Sequence, residues 1–280
     1  MEEFPDLLGK TLISKITKAM EIQAIGAMRR NGTNGDNLVT GYTNPGIMRA
    51  LTVGWVGAKT NNKTYIDFAN KSGDDITALF KAGSNVFTEY NAPTYYGIDI
   101  WALAAAIKYG PKDQSMTKNA PFLLTELWKD IGEHYNAFLG NVAGPYDRAN
   151  SRDLTQDSAV LPLWVWGLMG YSKAPEPNKR QANLEYDAAE AASMAIVMDT
   201  VAKYVPNEVM SELKSFGTAR TITKVIRDDL ETNKSRIATS YVSKTLMIGG
   251  FESNETEIRS KQHVPAIVHW VSCAISFDWI

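Results

Sequence analysis

Only one cysteine, Cys273, stands among 280 residues, which excludes an internal disulfide framework and any CxxC metal site. Its flank, Val271-Ser272-Cys273-Ala274-Ile275, reads as that of a small buried hydrophobe. Charge of one sign is also lacking: 29 basic against 31 acidic residues leave a net charge of -2, so no long-range field selects nucleic acid or an anionic membrane. No uncharged apolar run approaches the ~20 residues of a membrane span. The opening Met1-Glu2-Glu3-Phe4-Pro5-Asp6 has neither the basic nor the apolar region of a signal peptide. The expectation is a soluble, cytoplasmic protein. Secretion would require that a signal segment has been removed, and only then would sequons such as Asn31-Gly32-Thr33, Asn62-Lys63-Thr64 and Asn254-Glu255-Thr256 matter.

Motifs are missing too. There is no P-loop, no GxGxxG after a strand, no GxSxG elbow and no DDxxD run, which disfavours nucleotide cofactors and serine-hydrolase chemistry. Three histidines, His134, His263 and His269, offer neither HExxH nor a 2-His-1-carboxylate spacing, so no metal and no cofactor are expected.

What is present is a 44% hydrophobic chain, enough to fill a sizeable core. Apolar residues recur at helical spacing over residues 7–30, 45–59 (with Asn44 as cap and Pro45 in the first turn), 64–81, 94–109, 120–139, 157–169, 184–204 and 207–216. Beyond Phe216 short segments rich in Thr, Val, Ile and aromatics (220–226, 236–242, 245–248 and 264–273) read as strands. The predicted fold is mainly α, a single domain over 1–280 with a helical body (1–216) and a β-rich C-terminal appendage (217–280) packed on it. In an up-down helical array successive loops alternate between two ends. The long, polar loops 31–43, 82–93 and 140–156 therefore share one end, whereas 171–183 reads as a solvated Pro/Lys linker.

Two of those loops carry unusual chemistry. In Phe87-Thr88-Glu89-Tyr90-Asn91-Ala92-Pro93-Thr94-Tyr95-Tyr96-Gly97-Ile98-Asp99, Thr94 is the expected cap, and Tyr95 and Asp99 fall four apart on one helical face. A phenol held by a carboxylate there suits proton transfer, while the plainer reading makes Tyr95, Tyr96 and Trp101 core aromatics with bonded tips. Glu89, Tyr90 and Asn91 are expected to line a pocket. The second loop holds Tyr146-Asp147-Arg148 and Arg152-Asp153, in which Arg148 suits bidentate recognition. The alternative is an ion-pair knot that only shapes the loop, with Asp147 and Arg148 bonded to each other and Tyr146 or Asp153 facing the ligand. His134 reads as a surface or satisfied core residue; His263 and His269, six apart in an extended segment, point to one face and offer a third wall. Asp228-Asp229 reads as a solvated turn, and the seven tryptophans as packing.

These strings, with the later Leu246-Met247-Ile248-Gly249-Gly250 and His263-Val264-Pro265-Ala266-Ile267-Val268-His269-Trp270, resemble a group of fungal proteins encoded in natural-product gene clusters, over about residues 40–280. The helical-hairpin layout is similar to (α/α) toroids, which include glycan hydrolases and lyases and terpenoid dehydratase-isomerases, although this chain is short of helices for a complete six-hairpin ring. The resemblance implies a cofactor-independent enzyme of secondary metabolism, a cyclase, isomerase or dehydratase, a Diels-Alderase-type pericyclase included, acting on an apolar terpenoid or polyketide-like small molecule. On that reading Tyr95, Asp99, Tyr146 and His269 are catalytic, and Glu89, Tyr90, Asn91, Tyr96, Asp147, Arg148, Asp153 and His263 bind substrate. A toroid-type glycan lyase or glycoside hydrolase is the alternative, marked by an open cleft with exposed Trp and paired acids. A non-catalytic small-molecule binding protein is the third.

Overall fold

The computed structural model describes residues 1–33, 35–149, 160–170, 193–232, 234–252 and 262–271. Five helices occupy the first half: α1 (Pro5–Arg29), α2 (Thr43–Thr60), α3 (Lys63–Ala82), α4 (Pro93–Tyr109) and α5 (Ser115–His134). The link from α2 to α3 is only Asn61 and Asn62. Asn61 adopts the left-handed conformation (φ 52°), and the Asn62 side chain accepts from the amides of Thr64 and Tyr65. So tight a connection folds α3 back antiparallel on α2.

α4 is the centre of the body. It is apolar all round, and its run from Ala102 to Ala106 is almost wholly buried, small side chains that let α2, α5 and α6 (Val160–Met169) approach it together. At Gly97 a Cβ would lie 2.5 Å from that of Val160, and Trp164 donates its indole N–H to the Gly97 carbonyl at 2.8 Å. The expected Thr94 cap is not used: Pro93 occupies the first turn and Ala92 is the cap residue, so Thr94 lies within the helix.

α5 spans Ser115–His134 rather than 120–139. It starts early because the Asn70 side chain on α3 accepts from the Ser115 amide at 2.9 Å, and it stops early because Asn136 accepts from the amides of Phe138 and Leu139, turning the chain into a hairpin of two-residue strands, β1 (Tyr135–Asn136) with β2 (Asn141–Val142). Short α7 (Met198–Lys203) and α8 (Asn207–Lys214) follow, α8 packing on α5.

The C-terminal strands β3 (Arg220–Arg227), β4 (Ser235–Val242), β5 (Leu246–Glu252) and β6 (Ala266–Trp270) form one antiparallel sheet in sequence order. Alternation sets its faces: Ile222, Ile226, Ala238, Val242 and Met247 turn to the body, whereas Thr221, Thr223, Tyr241, Ile248 and Val268 face outward. The architecture is therefore mainly helical with a small C-terminal sheet. Among the described residues no helix is long and apolar enough to cross a membrane.

Candidate functional site

The loops before α2, before α4 and after β2 converge at one end of the helices, where the β3–β4 turn meets them. Together they enclose a cleft of about 420 Å³ lined by Tyr42, Glu89, Asp147, Arg148, Asp228 and Lys234, among others. The loops at 82–93 and 140–149 meet directly: Asp147 donates its amide to the Tyr90 carbonyl at 3.0 Å, and Arg148 Nε lies 3.5 Å from Glu89 Oε1.

Glu89 is the chemically distinctive group. Its side chain is 7% exposed, and burial pushes its carboxyl up to about 7 against the pull of Arg148 and the Thr43 amide, with the Asp147 charge adding to the rise. Behind it Asp99 is fully buried and held well above the usual carboxylate range by burial and by Glu89. The two acids share Thr43, whose amide donates to Glu89 and whose hydroxyl donates to Asp99, both at 3.3 Å. The other Asp99 oxygen is buried with no hydrogen-bond partner among the described residues. Both carboxyls are thus held toward their protonated forms, Glu89 at the cleft wall and Asp99 behind it.

Arg148 stands over two rings, 4.9 Å from the centroid of Tyr95 and 5.6 Å from that of Tyr42, and donates to the Tyr95 hydroxyl at 2.7 Å. The anticipated Tyr95–Asp99 pair is therefore not formed: the phenol takes the guanidinium, and the carboxylate turns inward to Thr43. Asp99 stands behind the lining, whereas the half-buried Tyr95 lies beneath Arg148 and edge-on to Tyr42. Tyr42, raised above the ordinary phenol value by burial, Tyr95 and Glu89, remains a proton donor at the cleft wall.

Asp147 and Arg148 do not bond to each other as a knot would require. Asp147 instead joins a clamp from the sheet: Arg236 donates to Asp147 at 2.7 Å, to Asp228 at 3.0 Å and to the Thr88 carbonyl at 2.7 Å. Asp228 is thus no solvated turn residue but one jaw of the site. Sequence reading missed Arg236, Asp228, Tyr42 and Thr43, because each is defined by a partner far along the chain; Arg236 lies 89 positions from Asp147.

Several expected site residues are placed elsewhere. Tyr90 is buried with its hydroxyl 2.8 Å from His134 Nε2. His134 Nδ1 donates to the Asp130 carbonyl, which turns Nε2 to the phenol. Tyr96 donates to Asp130, which also faces Lys224 at 3.4 Å. Asn91 donates to the carbonyls of Ala143 and Pro145, and Tyr146 to that of Val142. These four side chains fix the loops; none lines the cleft. His269 is buried beside the Tyr146 ring, and His263 stacks on Phe251 at 5.2 Å, so the two do not form a common wall. Asp153 lies outside the described residues. Among the described residues no group of three or more His, Cys, Asp and Glu is placed to hold a metal ion.

The family model for DUF8769, a domain of unknown function, matches residues 1–199. The chain belongs to that family. No curated protein and no solved structure matches it. The DUF8769 segment supplies Tyr42, Thr43, Glu89, Asp99, Asp147 and Arg148, while Asp228 and Arg236, which complete the clamp, lie beyond the matched residues.

Proposed function

We propose that this DUF8769 protein is a cofactor-independent enzyme that moves a proton on a small organic substrate, a cyclase, isomerase or dehydratase, with Glu89 as general acid–base. The observation that carries the reading is a single one: a buried carboxyl brought to about 7 at the wall of an open cleft, beside Arg148 and a protonated phenol. In a dehydration the Glu89 proton passes to a substrate hydroxyl, the C–O bond breaks and water leaves. The carboxylate then accepts the proton from the neighbouring carbon, which restores the acid. In a cyclisation the same proton, with Tyr42 and Arg148, polarises a carbonyl without leaving the enzyme. The resemblance to proteins of fungal natural-product clusters supports a terpenoid or polyketide-like substrate and a cytoplasmic enzyme. The α2–α3 hairpin and the α4–α5 pairing support a toroid-like arrangement.

A second reading has its own observation. The cleft is open and polar, with several acids along it, which favours a glycan lyase or hydrolase; its aromatic wall, however, is Tyr42 rather than tryptophan. The deciding experiment compares wild type and Glu89→Gln on polyketide and terpenoid alcohols or ketones and on uronate oligosaccharides. The expected outcome is turnover of the first set that falls as pH rises through about 7 and drops by roughly 10²–10⁴-fold in the variant. Turnover of oligosaccharides alone selects the second reading, and binding without turnover, unaltered in E89Q, makes the protein a carrier.

A further inference from the structure

Two apolar cavities lie in series along the shared face of α2 and α4, beyond the polar cleft. The nearer, about 270 Å³, is walled by Met48, Ile98 and Trp101; the farther, about 400 Å³, by Leu51, Trp55, Trp101 and Tyr109. Trp101 stands between them, its indole N–H drawn aside to the Ser193 carbonyl at 3.3 Å, so that both ring faces remain as wall. Residues 1–4 line the far cavity, held there by Glu2 on Lys59 at 2.8 Å and Glu3 on Lys108 at 2.7 Å.

The sequence puts these walls in register with the cleft. On α4, Tyr95, Ile98, Trp101, Ala105 and Tyr109 recur every three or four residues. Met48, Leu51, Thr52 and Trp55 do the same on α2. All but Ala105 are half-buried, a largely apolar stripe on two helices that pack together. The stripe begins where Tyr95 meets Tyr42 edge-on, beneath Arg148, and from Tyr95 to Tyr109 it runs roughly 21 Å at the helical rise.

We infer that the substrate is an extended apolar chain of about 20 Å that carries a neutral carbonyl or hydroxyl head, the head seated at Glu89 and Arg148 and the chain lying along α2 and α4 to Tyr109. This rests on the reading of Glu89 as the proton-transfer group. Two cavities on either side of one indole suit a chain, whereas a compact ligand would fill only one. The head is neutral because Arg148, Lys234 and Arg236 balance Asp147, Asp228 and Asp229 once Glu89 holds its proton. A cation would also pass Arg148 on its way along the stripe, and a carboxylate would meet the acids of the cleft.

The test titrates the protein with methyl ketones of six to eighteen carbons, read by calorimetry. Affinity is expected to rise about fourfold per added methylene and then level off once the chain outgrows the roughly 21 Å stripe. Leu51→Gln, in the far cavity, should weaken the long ketones and leave the short ones as in wild type, which also reports that the variant is folded. Affinity independent of length, or an equal loss for every ketone in L51Q, overturns the inference. So does a concentration-dependent dimer that blocks the probes, since the stripe would then be an interface between copies. Glu89→Gln separates the two ideas: length-dependent binding retained in a variant with full turnover would sink the acid–base reading alone, and turnover lost without any length dependence would sink the chain alone.

Discussion

At the residue scale Glu89 ties stability to pH. Its carboxyl titrates near 7 in the folded protein and near 4.5 in the unfolded chain, so the folded state binds the proton more tightly and is favoured by it. That contribution is fully present below about pH 4.5 and is lost as pH rises through 7, a span worth about 3 kcal/mol for a group this buried. Urea unfolding of wild type at pH 4.5 and pH 8 should show the loss, and Glu89→Gln should flatten it; an equal slope in both would mean that Glu89 titrates normally. Asp99 acts in the same direction. Tyr90 illustrates the opposite case. Tyr90→Phe leaves His134 Nε2 buried without its partner and should cost about 1–3 kcal/mol in a thermal melt while leaving turnover within twofold of wild type. The string from Phe87 to Asp99 could place two acids, an amide and three phenols together, but not say which phenol faces outward. Tyr90, Tyr95 and Tyr96 differ only in the partner each finds on another element: His134, Arg148 and Asp130.

At the element scale, the first five helices and the shared end of the loops at 31–43, 82–93 and 140–149 followed from periodicity and from the shortness of the Asn61–Asn62 link, while much of the expected 184–204 helix lies outside the described residues. Boundaries did not, because side-chain caps such as Asn136 end α5 before its apolar pattern runs out. Also illegible were the points where elements press backbone to backbone. Gly97 reads as an ordinary helical glycine, yet its missing Cβ admits α6, with Leu161 N only 2.6 Å from where that carbon would sit. Gly97→Ala should therefore cost about 1–3 kcal/mol through overpacking, visible as a lowered midpoint in guanidinium. The sheet's clamp is stricter. Arg236 is 8% exposed and its partners Asp147 and Asp228 are each 14% exposed, so Arg236→Met strands two carboxylates and should cost about 3–5 kcal/mol. Hydrogen exchange of the amides at 143–149 should quicken more than that of α3, and uniform quickening would argue that the clamp holds the whole body instead of the cleft.

At the scale of the whole molecule, the DUF8769 match and the physical unit do not coincide. The matched residues end at 199, but Val86 and Tyr90 share a buried cluster with Ile226 and Ala238, and Ala143 shares one with Ile222, Val242 and Met247. Four cations of the sheet reach back to the helical body: Arg220 to the carbonyls of Gly132, Glu133 and Tyr135, Lys224 to Asp130 and Glu133, Arg227 to the Ala82 carbonyl, and Arg236 to the cleft. Without residues 200–280 those buried carbonyls and acids lose their donors, and Tyr90 loses its apolar cover, costs that sum to a large part of a domain's 5–15 kcal/mol. A chain of residues 1–199 should therefore keep helical far-ultraviolet circular dichroism yet lose the near-ultraviolet signal of its tryptophans and tyrosines and melt without a cooperative transition. A sharp melt with native near-ultraviolet dichroism would show instead that the helical segment is a self-sufficient domain, and Asp228 and Arg236 would become additions to a site that already stands without them.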